Sequence, residues 1–248
     1  MNQRSAPVIK QFIVIFCLCV CSFLSVHCIA SEPDEKEYTL LRQVMVEYQI
    51  RKRGVTHQRV LEALEKVHRH LFVPEKYRSQ AYNDYPLPIG EDQTISQPYI
   101  VALMTEILNP NPKKTVLEIG TGSGYQAAVL AELYKEVYTV EIIDILGKRS
   151  KKLLSELGYQ NIHVKIGDGY QGWKEHSPFD AIIVTCAPSH IPEPLKEQLA
   201  EGGKMIIPVG EAHNQKLVLL VKENGIIREK EVIPVLFVPM IRENGKIH

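Results

Sequence analysis

The stretch "VLEIGTGSGYQAAVLA" at residues 116–131 decides the fold, because it joins three local patterns. A short apolar run leads into Gly120, Gly122 and Gly124, and a helical pattern follows from about Tyr125. Glycine allows the backbone to turn tightly and to approach a ligand closely. In open α/β sheets, ligands bind at the carboxyl ends of the strands. The stretch therefore predicts a strand, a ligand-binding turn and a helix, with a plain tight turn as the alternative.

The glycine spacing does not match the fingerprint of nicotinamide dinucleotide sites. That fingerprint requires G-x-G-x-x-G. Here Gly124 comes one position early, and Tyr125 occupies the place of the third glycine. The sequence also shows no pattern for a second nucleotide-binding half. A nicotinamide-dependent dehydrogenase is therefore the least favoured of the functions considered.

Three acidic residues stand where a nucleoside ligand would meet the sheet. Glu118 lies two residues before the first glycine, Glu141 ends the second predicted strand, and Asp168 ends the third. A carboxylate at the position of Glu141 can accept hydrogen bonds from both ribose hydroxyls, and we expect Asp168 to face an adenine amino group. The alternatives are a surface acid at a strand end for Glu141 and a turn residue between two glycines for Asp168.

Strands and helices alternate beyond this stretch, which predicts a parallel sheet with helices on both faces. The predicted strands are 115–119, 136–140, 163–166, 181–185 and 204–209, and the predicted helices lie after about 125, at 144–157 and at 195–200. Two further strands, 216–222 and 229–238, are joined through Asn224 and Gly225, a hairpin turn signal. The fold class is therefore α/β, with a mostly parallel sheet and an antiparallel C-terminal hairpin.

The region before the sheet predicts extra helices. Apolar residues repeat at helical spacing over 40–48, and Gly54 ends this helix. Thr56 is expected to cap a second helix, whose apolar face continues to residue 71.

An irregular loop and a third helix complete the N-terminal region. Residues 72–92 contain three prolines and one glycine and predict the loop, and residues 100–108 predict the helix. We expect residues 31–112 to form a helical and substrate-loop region that belongs to one domain with the core at 113–248.

Residues 1–30 have the pattern of a secretory signal peptide. Arg4 and Lys10 form a basic start, and the run 12–26 carries no charge. Small residues precede Ser31, which is the expected N-terminus after cleavage. The alternative is an uncleaved anchor helix, but the run is short for a membrane span, which needs about 20 residues.

Composition limits the partners of the mature chain. Without the leader, 218 residues remain, with 27 basic and 29 acidic side chains and a net charge of −2. This size suits one domain, and the charge gives no reason to expect a nucleic-acid partner.

The cysteines and histidines give no metal signal. Cys186 is the only cysteine outside the leader, so we expect no internal disulfide and no thiolate cluster. The nine histidines of the chain are scattered without paired ligand spacing, and we expect no metal. We interpret Cys186 as a buried small residue, Trp173 as core, and His190 as a solvated loop residue.

The segment "QTISQPYIVALM" at residues 93–104 places two hydroxyls ahead of an apolar helix. Thr94 and Ser96 precede Pro98, and proline suits a first helical turn. The pair is compatible with helix capping, with one wall of an active site, or with both.

The glycine motif with its flanking acids resembles the class I S-adenosylmethionine-dependent methyltransferases. That family has a Rossmann-like sheet of seven strands whose last two strands form an antiparallel hairpin. The resemblance implies S-adenosyl-L-methionine as cofactor. It also implies the cofactor-binding residues Thr94, Glu118, Gly120, Thr121, Gly122, Ser123, Gly124, Glu141, Asp168 and Gly169.

The segment "LPIGEDQTISQPYIVALM" at 87–104 narrows the resemblance to protein-L-isoaspartate O-methyltransferases. The segments "VGEAHNQKLVLL" at 209–220 and "VLFVPM" at 235–240 are similar to that family too, and the likeness spans roughly 40–240. It implies methyl transfer to the α-carboxylate of L-isoaspartyl residues in damaged proteins and peptides. It also implies Ser96 as the active-site serine and Pro88, Ile89, Ile95 and Ser96 as substrate-binding residues.

Two other functions stay open on the sequence. One keeps the cofactor but changes the acceptor to a small molecule or RNA, against which the near-neutral charge counts. The other is a non-catalytic protein that binds S-adenosylmethionine or peptides. The segment "VTCAPSHIP" at 184–192 lacks the N-P-P-Y run typical of amino-directed methyltransferases.

The leader predicts an exported, periplasmic protein, whereas the family resemblance implies a cytoplasmic one. S-adenosylmethionine is made in the cytosol, so the two expectations conflict. For the mature chain we expect a monomer without stable membrane association.

Overall fold

Residues 34–242, the part of the chain that this computed structural model describes, contain six α-helices and nine strands, joined by loops and short 3-10 or π-helical segments. The helices are α1 Glu35–Val44, α2 Gln58–Lys66, α3 Pro98–Ile107, α4 Tyr125–Ala131, α5 Asp144–Glu156 and α6 Glu193–Glu197. The strands are β1 Leu87–Gly90, β2 Gln93–Ile95, β3 Thr115–Ile119, β4 Glu136–Glu141, β5 Ile162–Ile166, β6 Phe179–Val184, β7 Leu199–Val209, β8 Gln215–Glu223 and β9 Ile226–Val235. The predicted signal peptide, 1–30, lies outside the described residues.

Seven of these strands form one sheet in the order β5-β4-β3-β6-β7-β8-β9. Neighbours from β5 to β7 run parallel, whereas β8 runs antiparallel to both β7 and β9. Strand β3 pairs Val116 with Val137 of β4 on one side and with Ala181 of β6 on the other. The predicted α/β fold with an antiparallel C-terminal hairpin is confirmed.

Alternate residues of the strands pack on opposite faces of the sheet. Val116 and Ile183 join a buried cluster with residues of α1 to α5. Leu117 and Ile182 join a second cluster, which contains Leu195 of α6 and residues of β8. Both faces are therefore covered, which explains why the central strands read as continuous apolar runs.

The turn between β8 and β9 has the backbone that its sequence predicts. Asn224 and Gly225 have φ angles of 55° and 75°, both in the left-handed region that asparagine and glycine tolerate. The carboxylate of Glu201 accepts hydrogen bonds from both backbone N–H groups. This contact ties the hairpin turn to the start of β7.

The first two helices follow the predicted pattern, but the predicted cap is wrong. After α1 the chain continues as a π-helical turn, and Gly54, at φ 97°, ends this helical segment. The N-cap of α2 is His57 rather than Thr56. The N–H groups of Thr56 and His57 both donate to Oε1 of Glu106 at 2.6 Å. A carboxylate from α3 therefore takes over the role expected of a local hydroxyl.

Two other local predictions are wrong. Residues 72–92 do not form only an irregular loop, because β1 pairs antiparallel with β2, with Leu87 opposite Ile95. The predicted helix at 195–200 ends at Glu197, and Leu199 already pairs with Phe179 as the start of β7. In both places tertiary pairing overrides local propensity. Within residues 34–242, no helix has the length and apolar content to cross a membrane.

Candidate active site

The turn after β3 has a backbone that suits only glycine at its most crowded position. Gly120, Gly122 and Gly124 have φ angles of 95°, 53° and 89°. A Cβ on Gly120 would lie 2.5 Å from Oγ1 of Thr185. Thr185 in turn donates to the carbonyl oxygen of Gly120 at 2.7 Å. The turn is thus packed directly against the carboxyl end of β6.

A cleft with about 560 Å³ of empty volume lies at the carboxyl ends of β3, β4 and β6. Gly120, Gly122 and the carboxylate of Glu141 contribute its polar lining. Its apolar lining comes from Ile119, Val140, Ile142, Ile143, Val238 and Met240. Apolar walls beside one carboxylate suit a ligand that carries both an aromatic base and a hydroxylated sugar.

Glu141 is held rigidly at the edge of this cleft. Its Oε2 accepts from the N–H of Gly122 at 2.7 Å, and its Oε1 accepts from the N–H of Ile143 at 2.9 Å. Burial raises the pKa of the Glu141 carboxyl, and these backbone donors act in the opposite direction. Each carboxylate oxygen keeps a further lone pair, so the group can still accept hydrogen bonds from two ribose hydroxyls.

Glu118 is buried within the sheet and does not line the cleft. Its side chain is fully buried, and its Oε2 accepts a hydrogen bond of 2.5 Å from Oγ1 of Thr139. The hydroxyl of Thr139 also lies 2.6 Å from that of Thr121, within the turn. Burial raises the pKa of Glu118 to about 8. The structure therefore makes Glu118 an indirect support for Thr121, through the hydroxyl of Thr139.

Asp168 forms an ion pair with the C-terminal segment, which comprises residues 236–242 after β9. Its Oδ2 accepts from Nε of Arg242 at 2.9 Å, and its Oδ1 accepts from the N–H of Tyr170 at 3.0 Å. The guanidinium of Arg242 also stacks on the ring of Tyr170, 3.7 Å from its centroid. Gly169 lines the cleft, whereas Asp168 does not. The predicted contact of Asp168 with adenine stays a prediction.

A second cavity, with about 1500 Å³ of empty volume, lies between the β1–β2 hairpin, α3 and the C-terminal segment. Thr94 and Ser96 line it together with Tyr99. Neither hydroxyl caps α3, because the N-cap is Gln97 and its cap position has no side-chain hydrogen bond. The capping hypothesis is wrong, and both residues line a cavity instead.

Thr94 and Thr185 line both cavities. A third, smaller cavity with about 320 Å³ of empty volume is also lined by these two residues. Thr121, Ser123, Ile95 and Ser96 complete much of its lining. The hydroxyl pair of the sequence "QTIS" therefore stands where the cleft under the glycine turn meets the larger cavity.

The hairpin is anchored by its apolar side chains. Ile89 and Ile95 are buried, and Ile89 Cδ1 would lie 3.3 Å from a Cβ on Gly122. Pro88 is exposed and lines none of the three cavities described above. Nη2 of Arg149 donates to the carbonyl oxygen of Ile89 at 2.5 Å. Ile89 and Ile95 thus place the hairpin against the glycine turn, while a substrate contact of Pro88 stays a prediction.

Several residues that line the cavities were not predicted from the sequence. They are Gln93, Thr185, Cys186, Val238, Pro239 and Met240. Thr185 and Cys186 directly follow β6, and the end of a parallel strand next to the glycine turn is a signal that could have identified them. The segment 238–240 carries no such signal. It reaches the cleft because its backbone pairs with Ala187, through N–H···O bonds of 2.8 and 2.9 Å.

Matches that cover most of the chain indicate one family. The profile of the family "Protein-L-isoaspartate(D-aspartate) O-methyltransferase (PCMT)" matches residues 41–245. A protein-L-isoaspartate O-methyltransferase of Gloeobacter violaceus is 56% identical over 205 residues, which are 82% of this chain and 100% of that protein.

Two solved structures are similar to this fold. A protein-L-isoaspartate O-methyltransferase matches with a TM-score of 0.73 and 30% identity, over 79% of this chain and 65% of that chain. A Plasmodium falciparum protein, described as a beta-aspartate methyltransferase in complex with S-adenosyl-L-homocysteine, matches with a TM-score of 0.72 and 28% identity. That match covers 82% of this chain and 99% of that chain.

Proposed function

The chain belongs to the protein-L-isoaspartate (D-aspartate) O-methyltransferase family and is an S-adenosylmethionine-dependent enzyme that methylates L-isoaspartyl residues of damaged proteins and peptides; within this activity, we propose that the cleft under the glycine turn holds the methyl donor and that the larger cavity holds the isoaspartyl peptide. The observation that carries this assignment is the position of Thr94 and Thr185, which line both spaces. The two reactants would meet there.

The cleft residues fit the proposed donor. Gly120 and Gly122 line the cleft without side chains, so the backbone of the turn is open to a ligand. Glu141 has lone pairs left for the ribose hydroxyls. The apolar side chains of Ile119, Ile142 and Met240 suit the base. When bound, S-adenosylmethionine supplies an electrophilic methyl group.

The acceptor needs little activation from the protein. A carboxylate is already ionised at neutral pH, so no general base is required. The protein must align the two reactants and exclude water, and such alignment can lower a barrier by about 7–11 kcal/mol. This requirement explains why no nucleophile–base pair is needed in the larger cavity.

We assign Ser96 the role of a hydrogen-bond donor that orients the isoaspartyl carboxylate. Ser96 lines the larger cavity and the third, smaller cavity. Burial raises the pKa of the nearby Cys186 thiol to about 12, which argues against a thiolate nucleophile at this edge. Thr94 stands at the boundary of the cavities, where it can contact both donor and acceptor.

The product ester explains the repair activity. Methylation turns the carboxylate into a methyl ester. The neighbouring backbone nitrogen attacks the ester carbonyl more easily than a carboxylate, and it loses its proton as methanol leaves and the succinimide closes. Hydrolysis of the succinimide gives a mixture of normal aspartyl and isoaspartyl linkages, and the isoaspartyl fraction re-enters the cycle. Repeated cycles therefore restore the normal linkage.

A paired-peptide assay tests these site assignments. The full chain would be incubated with radiolabelled S-adenosylmethionine and either an isoaspartyl peptide or its normal aspartyl twin. We expect base-labile label on the isoaspartyl peptide only, and we expect Ser96→Ala to reduce it without weakening donor binding. Donor binding measured by calorimetry without label on either peptide would point to another acceptor or to a binding protein.

We further propose that residues 1–30 are removed on export and that the mature enzyme is a monomer free of the membrane. The support is the leader pattern, with Arg4, Lys10 and the uncharged run at 12–26. Cell fractionation with N-terminal sequencing tests the first part, and a cytosolic protein that still begins at Met1 would contradict it. Sedimentation of the exported form tests the second part.

A further inference from the structure

A carboxylate and two imidazoles meet on the side of the protein formed by α1 and the turn after α2. Within residues 34–242, Glu35, His68 and His70 form the one group of three potential ligands whose ligand atoms all lie within 4.8 Å of one another. Glu35 Oε1 is 3.8 Å from Nδ1 of His68, and Glu35 Oε2 is 3.8 Å from Nε2 of His70. None of these residues lines the cavities assigned to methyl transfer.

We propose that Glu35, His68 and His70 bind a divalent transition-metal ion, with Zn²⁺ as the best match. Two imidazole nitrogens and one carboxylate oxygen are a common three-ligand set for zinc, with water as the fourth ligand. This site is independent of the proposed function, because it uses none of the residues assigned to donor or acceptor.

His70 is the preorganised member of the site. Its side chain is 5% exposed. Its ring stacks on Tyr38 with centroids 3.8 Å apart and planes 5° apart. Its Nδ1 lies 2.8 Å from the hydroxyl of Tyr82, and its Nε2 faces Glu35. A metal-bound imidazole usually has its other nitrogen held by a hydrogen bond in this way.

Glu35 and His68 can close on an ion without moving the core. Zinc–ligand bonds of about 2.0–2.2 Å place the ligand atoms of a tetrahedral site about 3.4 Å apart. The two 3.8 Å gaps are only slightly wider. The Glu35 and His68 side chains are 60% and 40% exposed, so both can rotate.

Arg42 limits the affinity. Its Nη2 lies 3.8 Å from Oε1 of Glu35, so its charge opposes a cation there. The guanidinium does not depend on Glu35, because it also donates to the carbonyl oxygen of Glu65 and to the hydroxyl of Tyr82. An ion can therefore take over the carboxylate while Arg42 keeps these bonds. We expect the site to bind zinc more tightly than a single exposed histidine does, because three ligand atoms converge.

Zinc titration of the full chain tests the proposal. The leader contains Cys17, Cys19, Cys21 and Cys28, which would bind zinc themselves, so all proteins in the test carry serine at these four positions. Isothermal titration with ZnCl₂ should show one site, and zinc should raise the unfolding temperature, reversibly with chelator. The variants His68→Ala and Glu35→Gln should each weaken binding at least tenfold. Both change exposed side chains, so folding should be retained.

A matched control is available in the chain. His163 and Glu136 form another histidine–carboxylate pair, with Nε2 and Oε2 2.8 Å apart, on β5 and β4. His163→Ala should leave zinc binding unchanged. Absence of stoichiometric binding would overturn the proposal. So would binding that His68→Ala and Glu35→Gln leave intact, or that His163→Ala reduces equally.

Discussion

Arg69 donates a hydrogen bond from Nη2 to the carbonyl oxygen of Ser96 across 2.8 Å. Arg69 is fully buried, and its Nε also donates to the carbonyl oxygen of Ala81 at 2.7 Å. Its guanidinium lies over the ring of Tyr125, 4.8 Å from the centroid. Because Tyr125 begins the helix after the glycine turn, this one side chain links the backbone of Ser96 to the turn that faces the cleft.

Substitution of Arg69 should therefore impair catalysis, although Arg69 lines neither the cleft nor the larger cavity. Hydrogen bonds to charged groups contribute about 1.5–3 kcal/mol each, and a lysine cannot reproduce the guanidinium fork. We expect Arg69→Lys to lower kcat/KM for an isoaspartyl peptide by about 10- to 100-fold. Arg51→Lys is the control and should have little effect, because Arg51 pairs with Glu47 on the protein surface. Wild-type kinetics in the folded Arg69 variant would rule out this link.

The hydroxyl of Ser96 can be tested apart from its backbone. Because Arg69 holds the carbonyl oxygen, Ser96→Ala should leave the main chain in place. Loss of one donor to a carboxylate should lower kcat/KM by about tenfold or more, with unchanged affinity for S-adenosyl-L-homocysteine. Ser155→Ala, at an exposed position of α5, should change neither quantity. An equal loss of cofactor affinity would assign Ser96 to the donor site instead.

Patterns that are local in sequence were predicted well. The strand, glycine turn and helix around Gly120 follow from sixteen consecutive residues, and the position of Glu141 follows from its strand end. Asn224 and Gly225 likewise specify their own turn. These features depend on backbone conformation and hydrophobic period, which the sequence states directly.

Features that depend on distant pairing were missed. Thr56 lost its predicted capping role to Glu106, 50 residues away. The histidines have no paired ligand spacing in the sequence, yet His68 and His70 lie beside Glu35 because α1 packs near the turn after α2. Asp168 meets Arg242 across 74 residues. Such contacts are set by the packing of whole elements, and no residue pattern near either partner indicates them.

Gly120 offers a test of the cofactor turn with a close control. Gly120 and Gly54 have nearly the same φ, 95° and 97°, so alanine at either position costs about 1–2 kcal/mol of backbone strain. A Cβ on Gly120 also meets Thr185, whereas a Cβ on Gly54 meets nothing within 4 Å. We expect Gly120→Ala to weaken S-adenosyl-L-homocysteine binding at least tenfold by calorimetry. Gly54→Ala should reduce stability alone, and equal affinities in the two variants would refute the role of the turn.

Substitutions of Asp168 and Arg242 can distinguish two roles of the Asp168 carboxylate, adenine binding and attachment of the C-terminal segment. If Asp168 serves the adenine amino group, Asp168→Asn should weaken S-adenosyl-L-homocysteine binding about tenfold. Arg242→Gln, which keeps Asp168 but removes its ion-pair partner and the stacking on Tyr170, should then weaken it less. Equal losses in both variants would show that Asp168 acts by holding the segment over the cleft. Calorimetry on the two variants and the wild type decides between these roles.

Glu118 should lower the free energy of unfolding as pH rises from about 4.5 to about 8. Burial raises its pKa in the folded state to about 8, from an ordinary value of 4.5. Between these pH values the folded state holds the proton more tightly than the unfolded state, so stability from this group is fully present below 4.5 and is lost as pH rises through 8. Glu118→Gln imitates the protonated form and should remove this loss. Denaturant unfolding at pH 5.5 and 8.5 should show the variant gaining at least about 1 kcal/mol relative to wild type at the higher pH. Glu62→Gln, at an exposed position of α2, should show no such gain, and a parallel pH dependence of wild type and Glu118→Gln would mean that Glu118 is ionised in the fold.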